Sequence, residues 1–146
     1  MRLEHVNLVV KDIAATLDFI QTAFPEWRVR GRGENVWHGK PRQWLHIGDD
    51  NYYLTLNDGA EGENRLLSGH APGLAHIGFV VDDVDGVVAR LQAKGFAIDI
   101  AGEAHPFRST VYFVDPAGFQ FEFIQYHSEQ PDEKNRYDSS ATTKVY

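Results

Sequence analysis

Residues 3–13 read LEHVNLVVKDI and residues 74–84 read LAHIGFVVDDV. The second phrase repeats the first at a constant offset of 71 residues. Leu3/Leu74, His5/His76, Val9/Val80, Val10/Val81 and Asp12/Asp83 are identical, and Val6/Ile77, Leu8/Phe79 and Ile13/Val84 differ only in apolar shape. Strand alternation puts His5, Asn7 and Val9 on one face and Val6, Leu8 and Val10 on the other. An ionisable ring at the same point of two copies predicts two halves that present ligands to one shared site.

The order of elements after each phrase repeats as well. Asp12 is placed as a helix N-cap, and Ile13, Leu17, Ile20 and Phe24 then recur at helical spacing up to Pro25. Stretches around 26–31, 43–47 and 52–57 read as strands, separated by Gly31-Arg32-Gly33 and by Gly48-Asp49-Asp50. In the second copy Asp83 is the cap, Val84, Val87, Val88 and Leu91 form one helix face, and Gly95 is the residue just past its end. Strands come next near 96–101, 110–114 and 119–126, with Asp115-Pro116-Ala117-Gly118 as the last turn. Each unit is therefore strand, helix, three strands. The segment 59–72 has linker composition, giving units 1–58 and 73–126 within one domain, 1–126. The segment 127–146 is a polar, aperiodic tail, either disordered or an arm that packs on a partner.

Bulk properties bound the function. A chain of 146 residues, 42% hydrophobic and 24% charged, is long enough to bury a core. No apolar run is long enough to cross a membrane, and charges inside the opening MRLEHVNLVVKDI argue against a signal peptide. The expectation is a cytoplasmic protein. With no cysteine, a metal must be held by histidine and carboxylate. The net charge of −7 argues against nucleic-acid binding. Against that acidic background, Arg28, Arg30, Arg32, Lys40 and Arg42 face only Glu34, with Trp37 and Trp44 interleaved. Such a segment is either a rim for an anionic or aromatic substrate or a strand followed by a solvated loop.

Three residues stand out chemically. Glu122 is a carboxylate within the apolar strand FQFEFIQ, where an uncompensated charge is costly to bury. A cation, an arginine partner or simple exposure would relieve it. Together with His5 and His76 it makes a two-histidine, one-carboxylate set, which binds a divalent metal and leaves coordination positions open. His38, His46, His70 and His127 fit no such pattern and read as surface or loop residues. Trp37, Trp44, Phe107 and Phe119 line a pocket or pack in the core.

The motifs H-V-x-L-x-V-x-D at 5–12, H-I-x-F-x-V-x-D at 76–83 and D-P-A-G-F-Q-F-E at 115–122 resemble those of the vicinal oxygen chelate superfamily. That group includes glyoxalase I, extradiol ring-cleavage dioxygenases, fosfomycin-resistance enzymes and bleomycin-binding proteins. The resemblance covers residues 1–126 and implies an α+β fold of two tandem βαβββ units forming one curled mixed sheet around a metal cleft. It implies a divalent ion (Fe(II), Mn, Ni or Zn) on His5, His76 and Glu122. Glyoxalase I takes a further ligand from the last strand of its first unit. Aligning NYYLTLND on FQFEFIQ puts Tyr53 opposite Glu122, with Thr55 on the same face, so that ligand is missing. The extradiol pattern is matched by His105, Val111-Tyr112, Asp115-Pro116, Gly118 and Glu122, with Glu103 at an upstream position where a small or apolar residue is expected. It implies that Tyr112 bonds a substrate oxygen and that His105 is an acid/base. Fosfomycin-resistance enzymes typically carry threonine where this chain has Asn7.

The expectation is a metal-dependent enzyme of dioxygenase or lyase/isomerase type, acting on a small molecule and forming a homodimer. Its pocket is expected to include Asn7, Trp44, Tyr53, Thr55 and Phe107. The alternative is a metal-free module that sequesters a small aromatic molecule, as the bleomycin-binding proteins do.

Overall fold

Asp12 and Asp83 cap helices at equivalent points of the two copies. Asp12 accepts from Ala15 N at 3.1 Å at the start of α1 (Ile13–Ala23), and Asp83 from Gly86 N at 2.8 Å at the start of α2 (Val84–Ala93). Each carboxylate satisfies a backbone N–H that the first helical turn leaves without a partner. α1 ends at Phe24, which leaves the helical region with φ −122° and ψ 78° because Pro25 comes next. α2 ends at Gly95 in the left-handed region, with Phe96 N returning to Leu91 O at 3.0 Å.

The computed structural model describes residues 2–137, and the chain divides into two units, Met1–Asn64 and Arg65–Tyr146. The first contains β1 (His5–Val9), α1, β2 (Arg28–Trp37), β3 (Lys40–Gly48) and β4 (Tyr53–Asn57). The second contains β5 (His76–Val80), α2, β6 (Ile98–Ala101), β7 (Arg108–Val114), β8 (Gln120–Tyr126) and α3 (Pro131–Lys134). The α+β class and the doubled βαβββ order are those expected. Each unit carries a four-stranded mixed sheet, ordered β1-β4-β3-β2 in the first and β5-β8-β7-β6 in the second. In both, the first strand lies parallel to the last and the remaining pairs are antiparallel.

Alternation gives each sheet two chemically distinct faces. In the first unit Leu8, Leu45, Ile47, Leu54 and Leu56 are buried, as are Phe19 and Ile20 of α1. In the second, Val111, Phe113, Phe121 and Phe123 are buried, and α2 packs on β7 and β8 with Val84, Val87 and Leu91 inward. Full burial of such a side chain stabilises by about 1.5–3 kcal/mol. The opposite faces carry the polar residues.

Tight turns fix the register of those faces. Asp115 Oδ1 accepts from Ala117 N at 3.1 Å and Phe119 N at 2.8 Å, and Gly118 supplies the positive φ the turn needs. Asp49 does the same in the first unit, accepting from Asn51 N at 2.6 Å and Tyr52 N at 2.8 Å. Those two N–H groups hold the Asp49 carboxyl below its ordinary pKa.

One expectation is corrected and two open readings are narrowed. Gly31-Arg32-Gly33 does not separate strands but lies inside β2, because the indole of Trp44 lies across it. A Cβ on Gly33 would stand 2.8 Å from Trp44 Cζ2. The arginine-rich stretch does not end in a solvated loop: β2 and β3 form a long hairpin, turning at His38 and Gly39 with φ of 48° and 79°. The tail, read as either disordered or a packing arm, contains α3, led by Pro131 at a position where its missing N–H is harmless. Residues 138–146 of that tail lie outside the described residues. Among the described residues no helix is long and apolar enough to cross a membrane.

Candidate metal and substrate site

On the polar face of the second unit, Glu122 stands between His76 and Tyr112. His76 Nε2 lies 3.2 Å from Glu122 Oε2, and the Tyr112 hydroxyl donates to Glu122 Oε1 at 2.6 Å. The register explains the meeting: Tyr112 is directly opposite Glu122 on β7, and Gly78 is opposite it on β5. Gly78 leaves the carboxylate its room, since a Cβ there would touch Oε2 at 3.4 Å. The His76 and Tyr112 rings meet edge-on, 5.6 Å between centroids. Burial and the adjacent carboxylate push the Tyr112 hydroxyl well above the usual phenol range, so it remains a donor.

Tyr112 and Glu122 open onto a cavity of about 620 Å³ whose wall includes Glu103, His105, Arg108 and Tyr137. His105 is held at both nitrogens. Nδ1 accepts from Phe107 N at 3.1 Å, which assigns the proton to Nε2, 3.1 Å from the carbonyl of Arg136.

The corresponding face of the first unit carries His5, exposed, with Nδ1 2.9 Å from Glu4 Oε2 and its ring stacked on Tyr53 at 4.8 Å. His46 and Trp44 continue the aromatic surface, each 4.8 Å from its neighbour: His46 from Tyr53 and Trp44 from His46. Desolvation first, then the positive charge of Arg30 and the nearby His5, lower the His46 pKa, against a smaller raising effect of Glu4. A cavity of about 340 Å³ opens on this face, walled by His5, Asn7, Trp44, His46, Tyr53 and Thr55 among others.

The sequence profile of the Glyoxalase/Bleomycin resistance protein/Dioxygenase superfamily matches residues 2–123. The chain belongs to that superfamily. Solved structures share its fold. A glyoxalase family protein from Bacillus cereus superposes with a TM-score of 0.72 at 14% identity, over 88% of this chain and 95% of that one. The genomically encoded fosfomycin resistance protein of Listeria monocytogenes, solved with Mn(II) and sulfate, gives 0.62 at 20% identity over 92% and 98%. The trypanothione-dependent glyoxalase I of Leishmania major gives 0.66 at 22% identity over 86% of each chain. No curated protein sequence matches the chain.

The superfamily's divalent ion can be tested against the donors present. An imidazole nitrogen and a carboxylate oxygen 3.2 Å apart are spaced as two ligands of one ion, each about 2.1 Å from it, would be. His76 and Glu122 therefore fit. Among the described residues, no three histidine or carboxylate side chains form a metal-binding group, and His5 belongs to the first unit. Its bond to Glu4 is of the kind that orients a metal-binding imidazole and frees the other nitrogen.

The remaining expected site residues divide between the two faces. Asn7, Trp44, Tyr53 and Thr55 line one cavity, whereas Phe107 packs edge-on against His105, 6.0 Å between ring centroids. The counterpart of Glu122 in the first unit is Thr55, not Tyr53. β1 pairs Asn7 with Thr55 as β5 pairs Gly78 with Glu122, and Tyr53 corresponds to Gln120. His46 is not a surface or loop residue: it is half-buried on β3, opposite Thr55, as Tyr112 is opposite Glu122. The alternation Trp44-Leu45-His46-Ile47 beside Thr110-Val111-Tyr112-Phe113 is the sequence signal for it. Asn57, in the wall of the smaller cavity, is a residue that the sequence reading does not single out, and Arg42 beside it in that wall comes from the arginine-rich segment offered as a substrate rim.

Proposed function

We propose that this superfamily member is a metal-dependent enzyme that acts on a small substrate carrying two adjacent oxygens, with chemistry of dioxygenase or lyase/isomerase type. His5, His76 and Glu122 would hold a divalent ion, and the convergence of His76 and Glu122 at 3.2 Å is the observation that carries the reading. When bound, such an ion supplies Lewis acidity to substrate oxygens. The chain's own residues do the rest. Glu4 orients the His5 ring, and Tyr112 holds one oxygen of Glu122 so that the other stays turned to His76. Tyr112 keeps its proton, and to donate to a substrate oxygen in the same cavity it would have to turn that one proton away from Glu122. His105 would act as acid/base from the cavity wall, and to do so its Nε2 must exchange the Arg136 carbonyl for the substrate.

The working form is proposed to be a homodimer, with Leu3, Leu74, Val80 and Ile100 as exposed apolar side chains for a partner to cover. The rival reading, a metal-free binding module, is favoured by one fact. His76, Glu122 and Tyr112 already satisfy one another without an ion.

Metal content by mass spectrometry on untagged protein separates the two. About one equivalent per chain, lost in His76→Ala and Glu122→Ala with the fold intact, supports the enzyme. No uptake after anaerobic reconstitution with iron(II), manganese, nickel or zinc favours the binding module.

A further inference from the structure

The larger cavity, in the second unit, has a cation in its wall that forms no ion pair. Arg108 lines the cavity and is half-buried, and among the described residues no carboxylate stands within ion-pairing distance of its guanidinium. Two carboxylates share that wall, Glu103 and Glu122. Glu122 is engaged by His76 and Tyr112, and Glu103 is exposed. The side-chain partner that Arg108 does have is aromatic: its guanidinium carbon lies 5.4 Å from the centroid of the Tyr137 ring. A guanidinium over a ring face keeps its in-plane N–H donors available for an anion.

The sheet aims this cation at the proposed chemistry. Arg108, Thr110 and Tyr112 alternate on the cavity face of β7, while Val111 and Phe113 are buried on the other face. Arg108 is thus four residues from Tyr112, about 13 Å along the strand, a span that one small molecule bridges. A backbone bridge between His105 and Arg108 fixes the second cavity residue beside the first. Burial and Glu122 raise the Tyr112 pKa, and the positive charge of Arg108 acts on the same hydroxyl in the opposite sense. The arginine and the Tyr112–Glu122 pair therefore belong to one electrostatic environment.

A half-buried guanidinium without a counter-ion is what an anionic ligand completes, since charge-assisted bonds to a planar fork are the strong ones. The acidic chain, with its net charge of −7, makes an uncompensated cation in this cavity the more selective. We propose that Arg108 is a specificity residue and that the substrate is an acid, with its adjacent oxygens at the Glu122 end of the cavity and a carboxylate on Arg108. The inference rests on the proposed substrate site and names the chemical class that site accepts.

The probes are 3-(3,4-dihydroxyphenyl)propionate and its primary amide, which share the adjacent oxygens and differ in the anion. Each is titrated calorimetrically into the full chain twice, once with a chelator present and once loaded with manganese. The acid is expected to bind about tenfold or more tightly than the amide in both conditions. Arg108→Gln should abolish that preference, and Arg108→Lys, which keeps the charge but loses the fork, should retain part of it. The two ligands test the wild-type chain even where a variant fails to fold. Equal affinities for acid and amide, an undiminished preference in Arg108→Gln, or no binding of the acid at about 10 mM would overturn the inference. A chain that takes up no manganese yet prefers the acid retains the inference and loses the metal reading. Manganese that tightens both ligands equally, with no preference for the acid, does the reverse.

Discussion

The Tyr112 hydroxyl donates to Glu122 Oε1 at 2.6 Å across directly opposed positions of β7 and β8. The bond occupies one carboxylate oxygen and leaves Oε2 turned to His76 Nε2. Removing the hydroxyl frees the carboxylate to rotate while leaving both proposed ligands in place. Tyr112→Phe should therefore keep the fold but weaken divalent-metal affinity about 10–100-fold, the usual loss when a partner that orients a ligand is removed. Competition with a fluorescent chelator measures it, and an unchanged affinity would exclude an orienting role.

The same contact makes an alkaline prediction. Burial and Glu122 hold the Tyr112 proton above the ordinary phenol range. When phenolate absorbance is recorded against pH, one tyrosine should ionise later than the rest. In Glu122→Gln that late step should move to lower pH, because the negative charge that opposed ionisation is gone. Coincident titration of all tyrosines in both proteins would contradict the geometry.

His46 supplies an acid-side prediction. Its pKa is lowered from 6.5 by desolvation, then by Arg30 and His5. Between the lowered value and 6.5 the unfolded chain binds more protons than the native one. Stability therefore rises with pH in that window, is complete above it, and is lost as the pH falls through it. Urea midpoints should drop as the pH falls below about 6.5, and His46→Asn should have a flatter profile whatever its absolute stability. An equal slope in the variant would assign the effect elsewhere.

How far the sequence foretells these relationships varies from residue to residue. The doubled phrase at 3–13 and 74–84 carries the topology, because one alternating strand and one Asp-capped helix are local patterns. His76 and Glu122 can be paired from the repeat and the stretch Asp115–Ile124 alone. Register is harder. Matching NYYLTLND to FQFEFIQ puts Tyr53 opposite Glu122, whereas hydrogen-bond pairing of Asn7 with Thr55 shows the match is one pleat further along. Such a shift keeps the same face, so hydrophobic alternation cannot detect it. The Gly31-Arg32-Gly33 segment misleads for another reason. Its glycines make room for Trp44, a residue on the neighbouring strand, and no local rule contains that neighbour.

That packing of Trp44 on the glycines gives the last prediction. A Cβ on Gly33 would stand 2.8 Å from Cζ2, 3.0 Å from Cε2 and 3.1 Å from Nε1 of the indole. Three ring atoms are approached at once, so the ring must lift as a whole rather than swing one end aside. Gly33→Ala gains strand propensity, but overpacking of this kind typically destabilises by about 1–3 kcal/mol. Gly59 is the matched control for cost without crowding: it meets no atom within 4 Å, but its φ of +80° strains any side chain. Both alanine variants should therefore lose stability in urea, while only Gly33→Ala shifts the tryptophan emission of the native state, because only there does Trp44 move. A Gly33→Ala protein with wild-type stability and emission would mean that the indole does not rest on β2.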